Sequence, residues 1–348
     1  TGTNTYTGTT TISAGTLKAG SDSAFTGKGQ LTTSGGTFDL AGFNAGFTQT
    51  NSGAGTITNS VAGVKTLDMG NVTGTLANLI TGDTALRVTN TNGLFKLTNT
   101  LNSFTGGVTL ANSASGTRLD INQTITGTPY GTGAITIGEA ATDKAGIIIR
   151  DVANNTLTND IIFNTALGTD RPGIRSDVTG ITLSGDVTAN LADATFSTND
   201  TGSFNLTGQV TGTNGLTLDN TYGASITVTL NNAAENNDYA GDTTIAGTKG
   251  TLVLGQDNQI ANGAGKGDLV NNGTLNMNGF SDTINGLSGT GTIDGVSGTS
   301  TLTLGDGDAD GNTFSGVIKN TAGTLSLTKT GSGTQTLSGF NTYTGGTT

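Results

Sequence analysis

One stretch of the chain combines side-chain type and spacing in a way that suggests chemistry. Gly305 to Asn312, Gly-Asp-Gly-Asp-Ala-Asp-Gly-Asn, places Asp306, Asp308 and Asp310 at alternate positions ahead of Gly311 and Asn312. Oxygen donors in that order form the first half of a Ca2+ loop, which needs a bidentate acid at its twelfth position. That position is Val317. The set Asp306, Asp308, Asp310 and Asn312 is therefore expected to bind Ca2+ weakly at best, and no other cofactor is expected.

The remaining inventory excludes most catalysis. With His 0 and Cys 0, the chain has no imidazole base, no Ser-His-Asp or Cys-His nucleophile and no thiolate metal site. Carboxylate chemistry of the glycosidase kind needs clustered acids with a basic companion, whereas Asp193, Asp200, Asp238 and Asp242 are scattered through turn-like sequence and read as solvated turn acids. Ser326 to Lys329 matches Ser-x-x-Lys, but the motif needs a helix to bring Lys back to Ser and this segment alternates as a strand. Gly131 to Gly133 and Gly289 to Gly291 lack the following helix of a phosphate cradle and read as turns. Thr169 to Asp177, the place where Arg171 and Arg175 lie close together, is a candidate glycan-binding loop, with solvated loop charges as the plainer reading.

Any such residues must be held by strands. Of 348 residues 58 are Gly and 2 Pro, charged residues make up 11%, and Thr, Ser and Asn separate short apolar runs. Helix formers are scarce, and β-branched residues suit a pleated surface. In "SITVTL" Ile226, Val228 and Leu230 fall on one face with Thr227 and Thr229 on the other; Leu302, Leu304, Leu325 and Leu327 repeat the scheme. The formal net charge of −11, with no Lys/Arg cluster, argues against nucleic acid and anionic lipid as partners. No apolar run reaches the length of a transmembrane helix and no basic-then-apolar leader precedes Thr1, as expected of a mature secreted product or an excised piece.

The chain repeats itself. Asn-x-(Tyr/Phe)-x-Gly occurs at Asn4, Tyr6, Gly8; Asn102, Phe104, Gly106; Asn237, Tyr239, Gly241; Asn312, Phe314, Gly316; and Asn341, Tyr343, Gly345. "GTFDLAGF", ending at Phe43, returns as "GTLNMNGF", ending at Phe280, each followed by a matching strand pair, "SGAGTITNS" and "LSGTGTIDG". The order predicts one continuous β-solenoid over 1–348 with related units at about 1–105, 106–240 (diverged) and 241–348. In the phrase, Asn is expected to cap a turn, the aromatic to enter the core or cover its edge, and Gly to turn the corner.

"GTLNMNGFSDTINGLSGTGTI", "STLTLG…NTFSGVI" and "LTKTGSGTQTLSGFNTYTGGTT", with "NTYTGTTTISAGTLKAG" at the N-terminus, resemble the autotransporter-associated β-strand repeats of bacterial surface proteins. The resemblance covers 1–60 and 237–348. It implies an all-β, right-handed parallel β-helix, a single elongated rod, exported and displayed outside the cell as an autotransporter passenger. No C-terminal run of amphipathic strands ending in an aromatic is present, so the translocator barrel of that family is not implied. At about 20–25 residues a coil the chain would make about 15 coils. Neither end carries a capping helix or charged hairpin, so the half-units at "NTYTGGTT" and "TGTNTYTGTTTIS" are expected either to stack head-to-tail between copies or to be the cut ends of a longer passenger. The expected role is that of a non-enzymatic extracellular stalk, adhesin or fibre subunit, secreted or on the cell surface, with a surface glycan or host receptor as a further partner. The alternatives are a tailspike-like glycosidase on the same fold and a glycan-binding adhesion module.

Overall fold

The computed structural model describes residues 4–51, 53–70, 74–89, 94–111, 116–165, 173–220, 223–234, 236–308 and 310–348. The chain is all-β, its strands stacked in parallel as a β-solenoid of about 13 turns. That is fewer than the coil arithmetic gives, and rung length varies along the chain. Partners on successive coils lie 18 residues apart at Leu275 and Ile293 and 28 apart at Leu119 and Ile147. Among the described residues the helical content is one 3-10 turn, Asp306–Asp308, and no helix is long and apolar enough to cross a membrane.

The chain divides into two compact units, Thr1–Val152 with Asn159–Arg171, and Ala153–Thr158 with Pro172–Thr348. In the first unit one parallel stack runs through Thr10–Ile12, Lys28–Thr33, Ala45–Asn51, Lys65–Gly70, Thr84–Thr89, Val108–Ala111, Ile135–Ile137 and Ile161–Phe163. Leu67, Leu86, Val108, Ile135 and Ile161 occupy one register column and all are at most 1% exposed. Thr16–Lys18, Thr37–Asp39, Thr56–Asn59 and Leu79–Gly82 form a second face, and Gly74–Leu76, Leu94–Leu97, Thr117–Ile121 and Ala145–Ile149 a third. Near its N-terminal coils Phe38 packs edge to face with Phe25 and Phe47, centroids 5.2 and 5.5 Å apart, and Phe25 and Phe47 are tilted against each other at 5.8 Å.

In the second unit the longest stack runs from Thr156–Leu157 to Val317–Lys319, and its inner column is Phe204, Val228, Leu252, Leu275, Ile293 and Ile318. The predicted alternation holds there: Ile226, Val228 and Leu230 are buried, while Thr227 and Thr229 stay part-exposed. Each such aliphatic contributes about 1.5–3 kcal/mol over leaving it in water. Stacking like on like makes the core regular.

The repeated phrases are repeated in space. Phe43 N donates to Leu40 O at 2.9 Å and Phe280 N to Met277 O at 2.8 Å. Both turns have two central residues at positive φ, 49° and 86° at Ala41 and Gly42, 51° and 89° at Asn278 and Gly279. This is a type I′ turn, for which Asn-Gly is the favoured pair.

Candidate functional site

The residues of the Asn-x-(Tyr/Phe)-x-Gly phrase form a built corner. Asn102 is fully buried; its Oδ1 accepts Ile80 N at 2.8 Å from the preceding coil and its Nδ2 donates to Pro129 O at 2.7 Å in the following one. Asn237 does the same with Val210 N at 2.8 Å and Gln259 O at 2.9 Å. Asn341 accepts Ile318 N at 2.8 Å, and Asn4 donates to Ala24 O at 2.8 Å. At Asn102 and Asn237 the amide is an axial tie between three coils; the expectation was that it caps a turn. Asn312 departs: Nδ2 turns to Asp268 Oδ2 at 3.2 Å, and the amide of Gln335 serves the preceding coil by accepting Leu287 N at 2.9 Å.

The aromatic lies in the core at Phe104, Tyr239 and Phe314, all 0% exposed, whereas Tyr6 is 38% exposed and Tyr343 part-exposed. The sequence reading missed the partner of each hydroxyl. Tyr6, Tyr239 and Tyr343 bond to Thr10, Thr243 and Thr347 at 2.7, 2.6 and 2.7 Å. The signal was present: the residue four after the aromatic is Thr in the three tyrosine copies and apolar, Val108 or Ile318, in the two phenylalanine copies. Burial pushes the Tyr239 phenol up to about 12, the Thr243 bond pulling the other way.

The glycine does not turn the corner by a left-handed backbone. Gly106, Gly241, Gly316 and Gly345 have ordinary φ, and what excludes a side chain is the adjacent coil: a Cβ at Gly106 would lie 2.7 Å from Ala85 Cβ and one at Gly241 2.5 Å from Gly215 N. At Gly8 nothing lies within 4 Å of that position.

The acids are hydrogen-bond acceptors along the axis. Asp193 Oδ1 accepts Gly215 N, Asp242 Oδ1 accepts Asp268 N, and Asp268 Oδ1 accepts Gly286 N, each at 2.8 Å. Asp193 Oδ2 also takes the Thr217 hydroxyl at 3.0 Å. Asp238 pairs with Lys266 at 2.5 Å, and Asp200 lies in an exposed turn. Two further acids, not singled out from sequence, repeat one geometry. Asp39 accepts Ser60 N at 3.0 Å and Ser60 Oγ at 2.7 Å, with Lys18 at 3.1 Å. Asp294 accepts Thr321 N at 2.9 Å and its hydroxyl at 2.7 Å, with Lys319 at 3.0 Å. Burial opposes ionisation at both, but these donors outweigh it and hold the carboxyls below their ordinary value. Their common signal is Gly-Thr-apolar-Asp, at Gly36–Asp39 and Gly291–Asp294.

At the candidate Ca2+ segment the carboxylates serve the next coil. Asp308 Oδ1 accepts Ser332 N and Asp310 Oδ1 accepts Thr334 N, both at 2.7 Å, and these N–H groups hold both carboxyls below their ordinary value. Asp306 takes Gly307 N at 3.1 Å, and Asn312 points to Asp268. Among the described residues no group of three acids is placed to hold a metal ion. Of the candidate glycan loop, Thr169 to Pro172, including Arg171, lies outside the described residues, and Arg175 is bound twice to Asp177 Oδ2, at 3.1 and 2.8 Å. Lys329 of Ser-x-x-Lys bonds to the carbonyls of Thr330 and Gly331.

The sequence profile of the passenger-associated-transport-repeat family matches residues 1–19 and 327–348. No curated protein and no solved structure matches the chain. Both matched segments contain the Asn-Thr-Tyr-Thr-Gly corner, with its axial asparagine and its tyrosine–threonine bond. With that repeat matched at 1–19 and 327–348 and parallel coils between them, the chain is a β-solenoid whose two ends are similar to the passenger-associated transport repeat.

Proposed function

We propose that the chain is a non-enzymatic structural segment of an exported passenger, displayed outside the cell as a stalk or spacer. The observation that carries this reading is the employment of the polar side chains: the acids a hydrolase would need accept backbone N–H groups of the neighbouring coil, as at Asp193, Asp242, Asp268, Asp308 and Asp310. At Asp308 and Asp310 these bonds hold the carboxyl below its ordinary value, which makes it a poor proton donor. Incubation with soluble polysaccharides, read by viscosity and reducing ends, is expected to show no turnover. Turnover abolished by Asp193→Asn or Asp242→Asn at unchanged melting temperature overturns the reading in favour of a glycosidase.

Self-stacking belongs to the same proposal. Phe340 is 83% exposed, and Asn341 Nδ2 has no acceptor among the described residues, whereas Asn102 and Asn237 each find one in the following coil. This corner fits a further coil of the same phase, from a longer polypeptide or from a second copy. Filaments that shorten on Phe340→Asp support the second copy; a chain that stays monomeric at high concentration rejects it.

A second reading, glycan binding, has one observation in its favour. Gly27 and Gly46 leave a shallow trough of about 250 Å³ on the first unit, walled by Thr66, Asp68 and Arg87. Glycan-array signal lost on Gly46→Leu is the expected result if the trough takes a sugar.

A further inference from the structure

The chain contains six Asn-Gly pairs, and five lie among the described residues: Asn214–Gly215, Asn262–Gly263, Asn272–Gly273, Asn278–Gly279 and Asn285–Gly286. An Asn-Gly pair can react with itself. The glycine nitrogen, having lost its proton, attacks the asparagine Cγ; the new N–Cγ bond forms as the Cγ–Nδ2 bond breaks, and ammonia leaves with that proton. Water then opens the cyclic imide at either carbonyl, giving aspartate or isoaspartate. The step requires a glycine nitrogen free to reach Cγ.

Four of the five nitrogens are held. Gly215 N donates to Asp193 Oδ1 and Gly286 N to Asp268 Oδ1, both at 2.8 Å; Gly263 N donates to Asn285 Oδ1 at 2.8 Å and Gly273 N to Asn271 Oδ1 at 3.1 Å. Gly279 N has no acceptor among the described residues, and Asn278 is exposed. Its amide nitrogen donates to Leu254 O at 3.1 Å.

The sister turn shows why Gly279 is left open. There Gly42 N donates to Asn59 Oδ1 at 2.9 Å. Asn59 follows Thr58, the register partner of Asp39; the residue that follows Asp294, the partner of Asn276, is Gly295, which has no side chain to offer.

We propose that Asn278 is a site of self-catalysed deamidation, with water as the sole co-reactant, and that the bonds on the other four glycines protect their asparagines. Conversion adds one negative charge at the turn and removes the Nδ2 bond to Leu254 O.

The test is peptide mapping by mass spectrometry of the folded full chain aged in mildly alkaline buffer. Asn278 is expected to convert at least about fivefold faster than Asn214, Asn262, Asn272 and Asn285, the factor corresponding to one net hydrogen bond of about 1 kcal/mol. In denaturant the five are expected to converge. Ala41→Asn supplies the control: it places the same dipeptide in the same turn, but with Gly42 N held by Asn59, so the introduced amide is expected to convert as slowly as the protected four. Conversion of any of the four at the rate of Asn278 in the folded chain overturns the proposal, and so does conversion of the introduced amide at that rate. The wild-type comparison decides even if the variant folds poorly.

Discussion

The Tyr239 hydroxyl lies 2.6 Å from Thr243 Oγ1 in a site where the tyrosine is wholly buried. Removing one partner strands the other, while removing both with apolar groups of similar shape is close to neutral. Tyr239→Phe alone is therefore expected to lower stability by about 1–3 kcal/mol. The double variant Tyr239→Phe, Thr243→Val is expected to recover most of that loss, since it recreates the Phe104–Val108 corner already present in the chain. Chemical denaturation of the four members of the cycle checks it, and a double variant no better than the single one contradicts the pairing.

Asn102 ties three coils with both ends of one buried amide. Asn102→Ala orphans Ile80 N and Pro129 O together, at about 1–3 kcal/mol for each buried group. The loss is expected to exceed that of Asn341→Ala, whose part-exposed site lets water replace the bond to Ile318 N. Melting temperatures of the two variants give the order.

Much of the fold is legible in the sequence, because alternation of period two, as in Ile226–Leu230, reports burial directly. The repeat phrases likewise mark the segments ending at Phe43 and Phe280 as copies of one unit, although the type I′ turn in each shows only in the backbone angles. The corner's working parts are less accessible. Asn102 bonds to residues 22 and 27 positions away, Ile80 and Pro129. With rungs running from 18 to 28 residues, no fixed offset identifies such partners. Asp39 and Asp294 look like solvated strand-end acids until the next coil brings Ser60 and Thr321 against them. Tyr239 and Thr243 lie only four residues apart, but their pairing emerges only by comparing the five copies.

Ala41 carries φ 49° in a turn whose second copy has Asn278 at φ 51°. A side chain with Cβ pays about 1–2 kcal/mol in the left-handed region, and asparagine tolerates it better by bonding locally. Ala41→Asn is therefore expected to raise stability by a fraction of about 1 kcal/mol. A matched denaturation curve checks it; a loss of stability shows that the first turn lacks room for the amide.

Asp282 gives the chain a pH dependence of unusual sign for an acid. Burial pushes its carboxyl up to about 7, although Gln259 N, Ile260 N and Thr283 N donate to it at 2.9, 3.1 and 2.8 Å and pull the other way; Asp257 adds to the rise. An unfolded aspartate titrates near about 3.9. Between those values the folded chain binds the extra proton, so stability from this group is fully present below about 3.9 and lost as pH rises through about 7. Asp39 and Asp294, held below their ordinary value, act oppositely: their contribution is present above about 3.9 and lost as pH falls through their folded values. The melting temperature is therefore expected to peak at about pH 4, where the two windows meet, to decline as pH rises to about 7, and to level off above that. Asp282→Asn is expected to flatten the upper limb and leave the acid limb unchanged. Thermal melts from pH 3 to 9 on both chains check it, and an upper limb of equal slope in the variant assigns the decline to another group.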